Sequence, residues 1–385
     1  MTNLHFNYKD IFRSLRLGFS AKKVGMGMLG LLFGLFGYSL LSYLAHLVAG
    51  NDWVSIWETY RLLPFPNPHL PFPWFSWIIY TIGVLWLIVV MLLTGTAIAK
   101  VTFEQLRGNE FYEAREGFKF AIRNAGAVLA SPLLIIAFIA LLVIAGLILS
   151  AIGSIPYFGP IFVGLLAIPA FLTSLFIVYL LIVLFFNLLL GPSIVGAMGN
   201  DTFDTLFEVF SCINEQPARL VWFTFLIGLL AKLGSFLLGV GSSVAGRIGS
   251  LVLSAFMRGT WQEMLDTTGF IFKVSIPNWG IFAPLHKMLI IETNLYGLPQ
   301  IYLPGFWTNT NWGIYNGSIL LAICAYAIGL MVIAYGLSVW FSGNVLNIAV
   351  LVKKKDDKNI LEVREEEPEV IEPDKPKEKA ESVTN

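Results

Sequence analysis

Charge is scarce in this chain. Asp, Glu, Lys and Arg make up 13% of its 385 residues and hydrophobic residues 56%, where an ordinary soluble domain has about 25% charged residues. That excludes a soluble globule as the starting class. Cysteine is equally sparse, and the pair Cys212 and Cys324 is too small for a disulfide framework and forms no Cys-x-x-Cys motif. The histidines stand at positions 5, 46, 69 and 286 and fit no His-Glu-x-x-His spacing, so neither a metal nor a cofactor is expected. A Gly-x-Ser-x-Gly elbow is missing too, and no enzyme activity is expected. Charge of one sign is not in excess, with 25 basic and 25 acidic residues, which argues against a nucleic-acid partner.

What the chain has instead is long apolar runs. A helix needs about 20 mostly apolar residues to cross a hydrocarbon core, and six stretches qualify: 24–49, 75–99, 125–152, 161–190, 220–242 and 319–352. The fold class that follows is an all-α integral membrane protein with six transmembrane helices. The third and fourth are joined by a turn over Gly153–Pro160, and the fifth contains Lys232. The N-terminal segment 1–23 does not read as a cleavable signal, because the apolar stretch after it is longer than a signal h-region.

Lysine and arginine set the orientation. Lys9, Arg13, Arg16, Lys22 and Lys23 precede the first span; Lys100, Arg107, Arg115, Lys119 and Arg123 separate the second from the third; Lys353, Lys354 and Lys355 follow the sixth. Both termini are therefore expected on the cytoplasmic side of a cell membrane. Eight of the eleven tryptophans fall in or beside the two loops of the opposite face, where such rings favour the membrane boundary. One of those loops, Pro64-Phe65-Pro66-Asn67-Pro68 followed by Pro71 and Pro73, reads as stiff and extended.

A weak internal repeat is also present. Three amphipathic segments precede spans one, three and five: Ile11, Leu15 and Phe19 in the first, Phe111, Phe118 and Ile122 in the second, and Phe203, Leu206, Phe207 and Phe210 in the third. The pattern reads as three hairpins, each preceded by a cytoplasmic interfacial helix, repeating about every 90 to 100 residues. On Phe111 to Pro132 and on Gly191-Pro192-Ser193 through Asp201, Phe203, Asp204, Phe210 and Pro217, the chain resembles the uncharacterised bacterial YciC-like membrane families and the membrane domain of some glycerophosphodiester phosphodiesterases. The resemblance implies an architecture and a bacterial inner membrane, and it carries no activity.

Site candidates are few. Lys232 would lie deep in the bilayer if its span starts near residue 219, where an ionisable group costs about 3 kcal/mol or more unless it faces protein or water. Asn187, Ser174 and Thr173 of span four are its expected polar neighbours, together a possible intramembrane site; outward snorkelling is the alternative. Gly239, Gly241, Gly246 and Gly249 read as a helix-packing face for another span or a second copy of the chain. Pro132 and Pro169 stand inside spans, where prolines are ordinary. The outer segment 258–317 holds Glu263, Asp266, His286, Lys287 and Glu292 without a recognised catalytic spacing.

The segment 353–385 carries 8 basic and 11 acidic residues and cannot bury a core, so a disordered acidic cytoplasmic tail is expected. The remainder, 24–352, is read as one membrane domain. Its expected function is non-enzymatic, organising or assisting partner proteins or lipids in the bilayer. The alternative is a transporter or channel for a small solute or lipid using the Lys232 region. Membrane lipids, and self-association or protein partners through the glycine face, are the expected contacts.

Overall fold

The computed structural model describes residues 4–60, 63–66, 70–271 and 311–362. Among them every regular element is a helix. Six helices are long and apolar enough to span a membrane: α3 (Ala21–Val48), α5 (Trp74–Arg107), α7 (Ala125–Gly153), α9 (Ala167–Met198), α11 (Pro217–Ile271) and α12 (Trp312–Asp356). This marks the chain as an all-helical, multi-pass membrane protein. Shorter helices punctuate them: α1 (Tyr8–Ile11), α2 (Arg13–Gly18), α4 (Trp53–Tyr60), α6 (Ala114–Arg123), α8 (Phe158–Leu165) and α10 (Thr202–Glu215).

The helices depart from the apolar runs in ways that local chemistry explains. Helix α5 continues past Ala99 because Lys100 and Glu104 pair at i,i+4 (2.9 Å) and Arg107 reaches the same carboxylate at 3.8 Å, charges a helix accepts. It stops at Gly108, whose φ of 100° is the left-handed cap conformation glycine supplies. The expected turn at 153–160 is partly helical, and residues 161–165 belong to α8 rather than to the following span. Pro169 lies in the first turn of α9, where a missing N–H costs nothing, so the interior prolines are Pro132 in α7 and Pro192 in α9. Helix α11 runs far beyond 242, with one break at Arg258 (φ 43°, ψ −117°). Past the break Trp261 Nε1 donates to Ser250 Oγ at 2.8 Å, and Thr268 Oγ1 to the Ser318 carbonyl of α12 at 3.3 Å.

The centre of the molecule is made by α5, α9 and α12, which pack on one another. Residues 94–103, 190–197 and 341–352 are buried without a gap, so these stretches of the three helices are enclosed on all sides. Helix α3 covers α5 and α12, α11 lies along α12, and α7 along α9.

The short helices close the core at this end. The α1–α2 segment wedges against α12: Ser338 Oγ donates to the Gly18 carbonyl at 2.8 Å and the Tyr335 hydroxyl to the Leu15 carbonyl at 3.3 Å. A Cβ at Gly18 would stand 2.7 Å from the Val339 Cα, so only glycine permits this approach. Helix α6 rests on α5 through buried Gly117 and Ala121, and α10 on α9 and α7 through Thr205, Val209 and Cys212. Their large apolar side chains divide: Ile11, Leu15, Phe118, Leu206 and Phe210 pack on the core, whereas Phe12, Phe19, Ile122, Phe203 and Phe207 are exposed, as is Phe111 just before α6.

At the opposite end the proline-rich loop folds down onto the helices instead of standing off as a spacer. The Tyr38 hydroxyl donates to the Pro64 carbonyl at 2.8 Å, and His46 Nε2 lies 3.1 Å from the Phe65 carbonyl. Asn51 Nδ2 sits 3.2 Å from His46 Nδ1, so the ring donates through Nε2 and accepts at Nδ1. Residues 272–310, with Trp279, His286, Lys287, Glu292 and Trp307, and the tail beyond 362 lie outside the described residues.

Candidate functional site at the basic end

The first turn of α3 places Lys23 against α5, with its side chain 0% exposed. Lys23 Nζ donates to Gln105 Oε1 at 3.0 Å and to Thr102 Oγ1 at 3.4 Å, and Thr102 Oγ1 lies 2.9 Å from Ser342 Oγ of α12. An ammonium removed from water without a carboxylate is costly, and here only neutral oxygens offset it. The neighbouring Lys22 is half-buried and donates to the carbonyls of Tyr112 (2.8 Å) and Glu110 (3.3 Å), tying the start of α3 to the loop before α6.

Buried amides continue this polar layer. Asn347 Nδ2 reaches Thr224 Oγ1 of α11 at 3.4 Å, while its Oδ1 has no protein partner. Neither polar atom of Asn344 has one, although the residue is fully buried. Each such group costs about 1–3 kcal/mol, so among the described residues Asn344 is a destabilising element of the core, as Asn347 Oδ1 and Asn187 Nδ2 are to a lesser degree.

Ion pairs close the rim. Lys355 Nζ of α12 lies 2.8 and 3.0 Å from the two carboxylate oxygens of Glu208 on α10, both side chains being largely shielded. The Cys212 thiol donates to Glu208 Oε1 at 3.6 Å. Burial, followed by the Glu208 charge, pushes this thiol up to about 12, which makes it a protonated donor rather than a nucleophile. Lys353 pairs with Asp357 at 2.9 Å and holds that carboxyl below its usual range.

Two cavities open beside these lysines. One of about 630 Å³ is lined by His5, Phe6, Asp356, Asp357 and the Lys353–Lys355 run. A second of about 350 Å³ shares Phe6 and Lys354 with it and is otherwise walled by Asn7, Tyr8, Arg219, Trp222, Phe223 and Val350. No group of three or more metal-ligating side chains occurs among the described residues.

No family model matches the chain, and neither a curated protein nor a solved structure matches it.

The residues singled out from sequence are not gathered into one site. Asn187 is buried, but its Oδ1 accepts from Ser131 Oγ of α7 at 3.1 Å. The Thr173 and Ser174 hydroxyls are exposed and turn back onto the Pro169 and Ala170 carbonyls of their own helix. Lys232 is exposed on α11, a helix that packs along α12 rather than α9. Two residues on, a Cβ at Gly234 would meet Leu15 of α2 and Tyr335, which lies midway along α12.

Of the expected packing glycines, Gly239 is buried, whereas a Cβ at Gly241, Gly246 or Gly249 would meet nothing within 4 Å. Within the chain, close packing falls instead on Gly18 and on Gly196, where a Cβ would stand 2.9 Å from the Thr96 carbonyl of α5. Sequence reading counted Lys23 only as a rim charge. Nothing in the sequence sets it apart from Lys22; only its contacts with Gln105 and Thr102 do.

Proposed function

We propose that this chain is a non-enzymatic integral membrane protein of the cell membrane that organises or assists partner proteins or lipids, with both termini cytoplasmic. The observation that carries the reading is the unbroken burial of 94–103, 190–197 and 341–352, three helix ends pressed against one another. A moving cargo needs a passage, and tight mutual packing of this kind favours a fixed scaffold. The thiol of Cys212, held protonated beside Glu208, is consistent with a site that performs no covalent chemistry.

The architecture is read as three units, each a short interfacial helix followed by a hairpin. Three features support this. The α1–α2, α6 and α10 segments each precede two long helices, and each buries small or short side chains such as Ser14 and Gly18, Gly117 and Ala121, and Thr205. Gly95, Gly191 and Gly343 are each followed three residues later by a fully buried aliphatic side chain: Ile98, Ile194 and Leu346. The third unit is the longest because the outer segment 258–317 lies between its two apolar spans. The inward placement of the termini rests on the lysines and arginines, and the pattern-level likeness to YciC-like membrane families agrees with it.

A second reading, a transporter or channel, draws on Asn344 and Asn347, whose unpaired amide atoms would suit a polar pathway. Extraction of the protein with its surrounding lipid in a membrane-solubilising polymer, followed by mass spectrometry, separates the two. Proteins or lipids recovered in fixed stoichiometry are expected. A lone protein carrying a small solute would overturn the first reading.

A further inference from the structure

The two cavities at the basic end form one amphiphilic recess, and we propose that it binds a phospholipid with a net anionic headgroup. Charge complementarity carries the argument. Of the cations around the recess, Lys353 is matched by Asp357 (2.9 Å), and Lys355 by Glu208 (2.8 Å) and Asp356 (3.4 Å). Lys354 and Arg219 have no carboxylate within ion-pair distance among the described residues, and both line the smaller cavity. Arg219 donates to Gln216 Oε1 at 3.2 Å, a neutral contact within its own turn that leaves its charge uncompensated.

Two unmatched cations beside a wall of Trp222, Phe223 and Val350 fit one kind of ligand. A phosphodiester sits between Lys354 and Arg219, where the guanidinium presents two parallel donors and the ammonium a point charge. The glycerol and first acyl carbons lie along the aromatic wall, and the rest of the headgroup enters the larger cavity with His5 and Lys353. A soluble phosphate has no use for the apolar wall. The larger cavity also holds Asp356 and Asp357, each ion-paired with a lysine, so the net charge that a lipid meets in the recess comes from Lys354 and Arg219. Phe6, left-handed at φ 50°, lines both cavities and stands where headgroup and chain would part. Basic residues attract an anionic membrane surface, and a recess adds selectivity to that attraction.

The inference rests on the proposed membrane placement but not on the absence of enzymatic or transport activity. Loss of lipid selectivity and loss of partner proteins are therefore separate outcomes. The full chain is reconstituted in nanodiscs of phosphatidylcholine with one-fifth phosphatidylglycerol, and retained lipids are counted by native mass spectrometry. Wild type is expected to retain phosphatidylglycerol over phosphatidylcholine at a ratio about tenfold above that of the disc. Lys354→Gln with Arg219→Gln is expected to lose that enrichment, Lys354→Arg with Arg219→Lys to keep it, and Lys119→Gln with Arg123→Gln, elsewhere on the rim, to leave it unchanged. Circular dichroism of each variant confirms that helix content is preserved. The proposal is overturned by equal retention in wild type and the double glutamine variant, by a loss of the same size in the Lys119 and Arg123 control, or by displacement of the lipid by millimolar inorganic phosphate. Enrichment that appears only after removal of residues 363–385 would also overturn it, since the acidic tail would then be the occupant.

Discussion

Lys23 Nζ lies 3.0 Å from Gln105 Oε1, a fully buried ammonium held by a neutral amide. Removing the amide and removing the charge therefore have different costs. Gln105→Leu leaves the cation with one long bond to Thr102 and is expected to destabilise by about 1.5–3 kcal/mol, the range for hydrogen bonds to charged groups. Lys23→Met removes the charge together with its desolvation cost and is expected to be the milder change. Thermal unfolding in detergent checks the order. A Lys23→Met variant less stable than Gln105→Leu would contradict it.

Close backbone contact separates two groups of glycines. At Gly18 and Gly196 added atoms meet the Val339 backbone and the Thr96 carbonyl, which have no rotamer to yield. Gly18→Val and Gly196→Val are each expected to cost about 1–3 kcal/mol or more from overpacking. Gly241→Val, Gly246→Val and Gly249→Val, in open space, are expected to leave monomer stability within about 0.5 kcal/mol. Size-exclusion chromatography of the same three variants reports whether that face joins a second copy.

The two cysteines should differ in reactivity. Cys212 is buried, donates to Glu208 and has its thiol pushed up to about 12, so a maleimide at pH 8 is expected to leave it unmodified in folded protein. Glu208→Gln removes a charge that raises the thiol and should speed labelling. The pH dependence follows in sign. Below about 9 both folded and unfolded chains keep this proton, and it adds no slope. Above that the unfolded chain releases it first, so stability falls with rising pH until about 12, a trend that Cys212→Ala is expected to flatten.

The outer proline loop is held by two carbonyls, those of Pro64 to Tyr38 and of Phe65 near His46. Tyr38→Phe and His46→Ala together are expected to raise hydrogen exchange at the Leu63 and Phe65 amides at least tenfold while α5 is unaffected. Unchanged exchange would show that packing of Pro64 and Pro66 alone fixes the loop.

Much of this architecture was legible because apolar runs and their lengths are local properties of the chain. The six long helices fall where apolar stretches do, and Asp201 caps α10 just before Phe203, where the third amphipathic segment begins, accepting from the Asp204 amide at 2.9 Å. What was not legible depends on partners distant in sequence. Gly18 becomes a contact glycine only because Val339, more than 300 residues later, lies against it. Lys23 is indistinguishable from a rim lysine until α5 brings Gln105 and Thr102 alongside. Lys232 drew notice as a charge inside an apolar stretch, and that stretch runs on as α11 to the break at Arg258. Asn187 was expected beside Lys232, and the structure sets it against Ser131 of α7, a contact that no sequence spacing announces.

The central claim is that the buried stretches 94–103, 190–197 and 341–352 of α5, α9 and α12 form a solid core instead of a passage. Single cysteines at Thr96, Ser342 and Asn344, in a background with Cys212→Ser and Cys324→Ser, test it when right-side-out and inverted vesicles are treated with a small charged thiosulfonate. All three positions are buried and are expected to stay unlabelled from both sides on the timescale that labels a cysteine at Lys354. Labelling at Ser342 or Asn344 at a comparable rate, from either side, would reveal a water-filled route and contradict the scaffold reading.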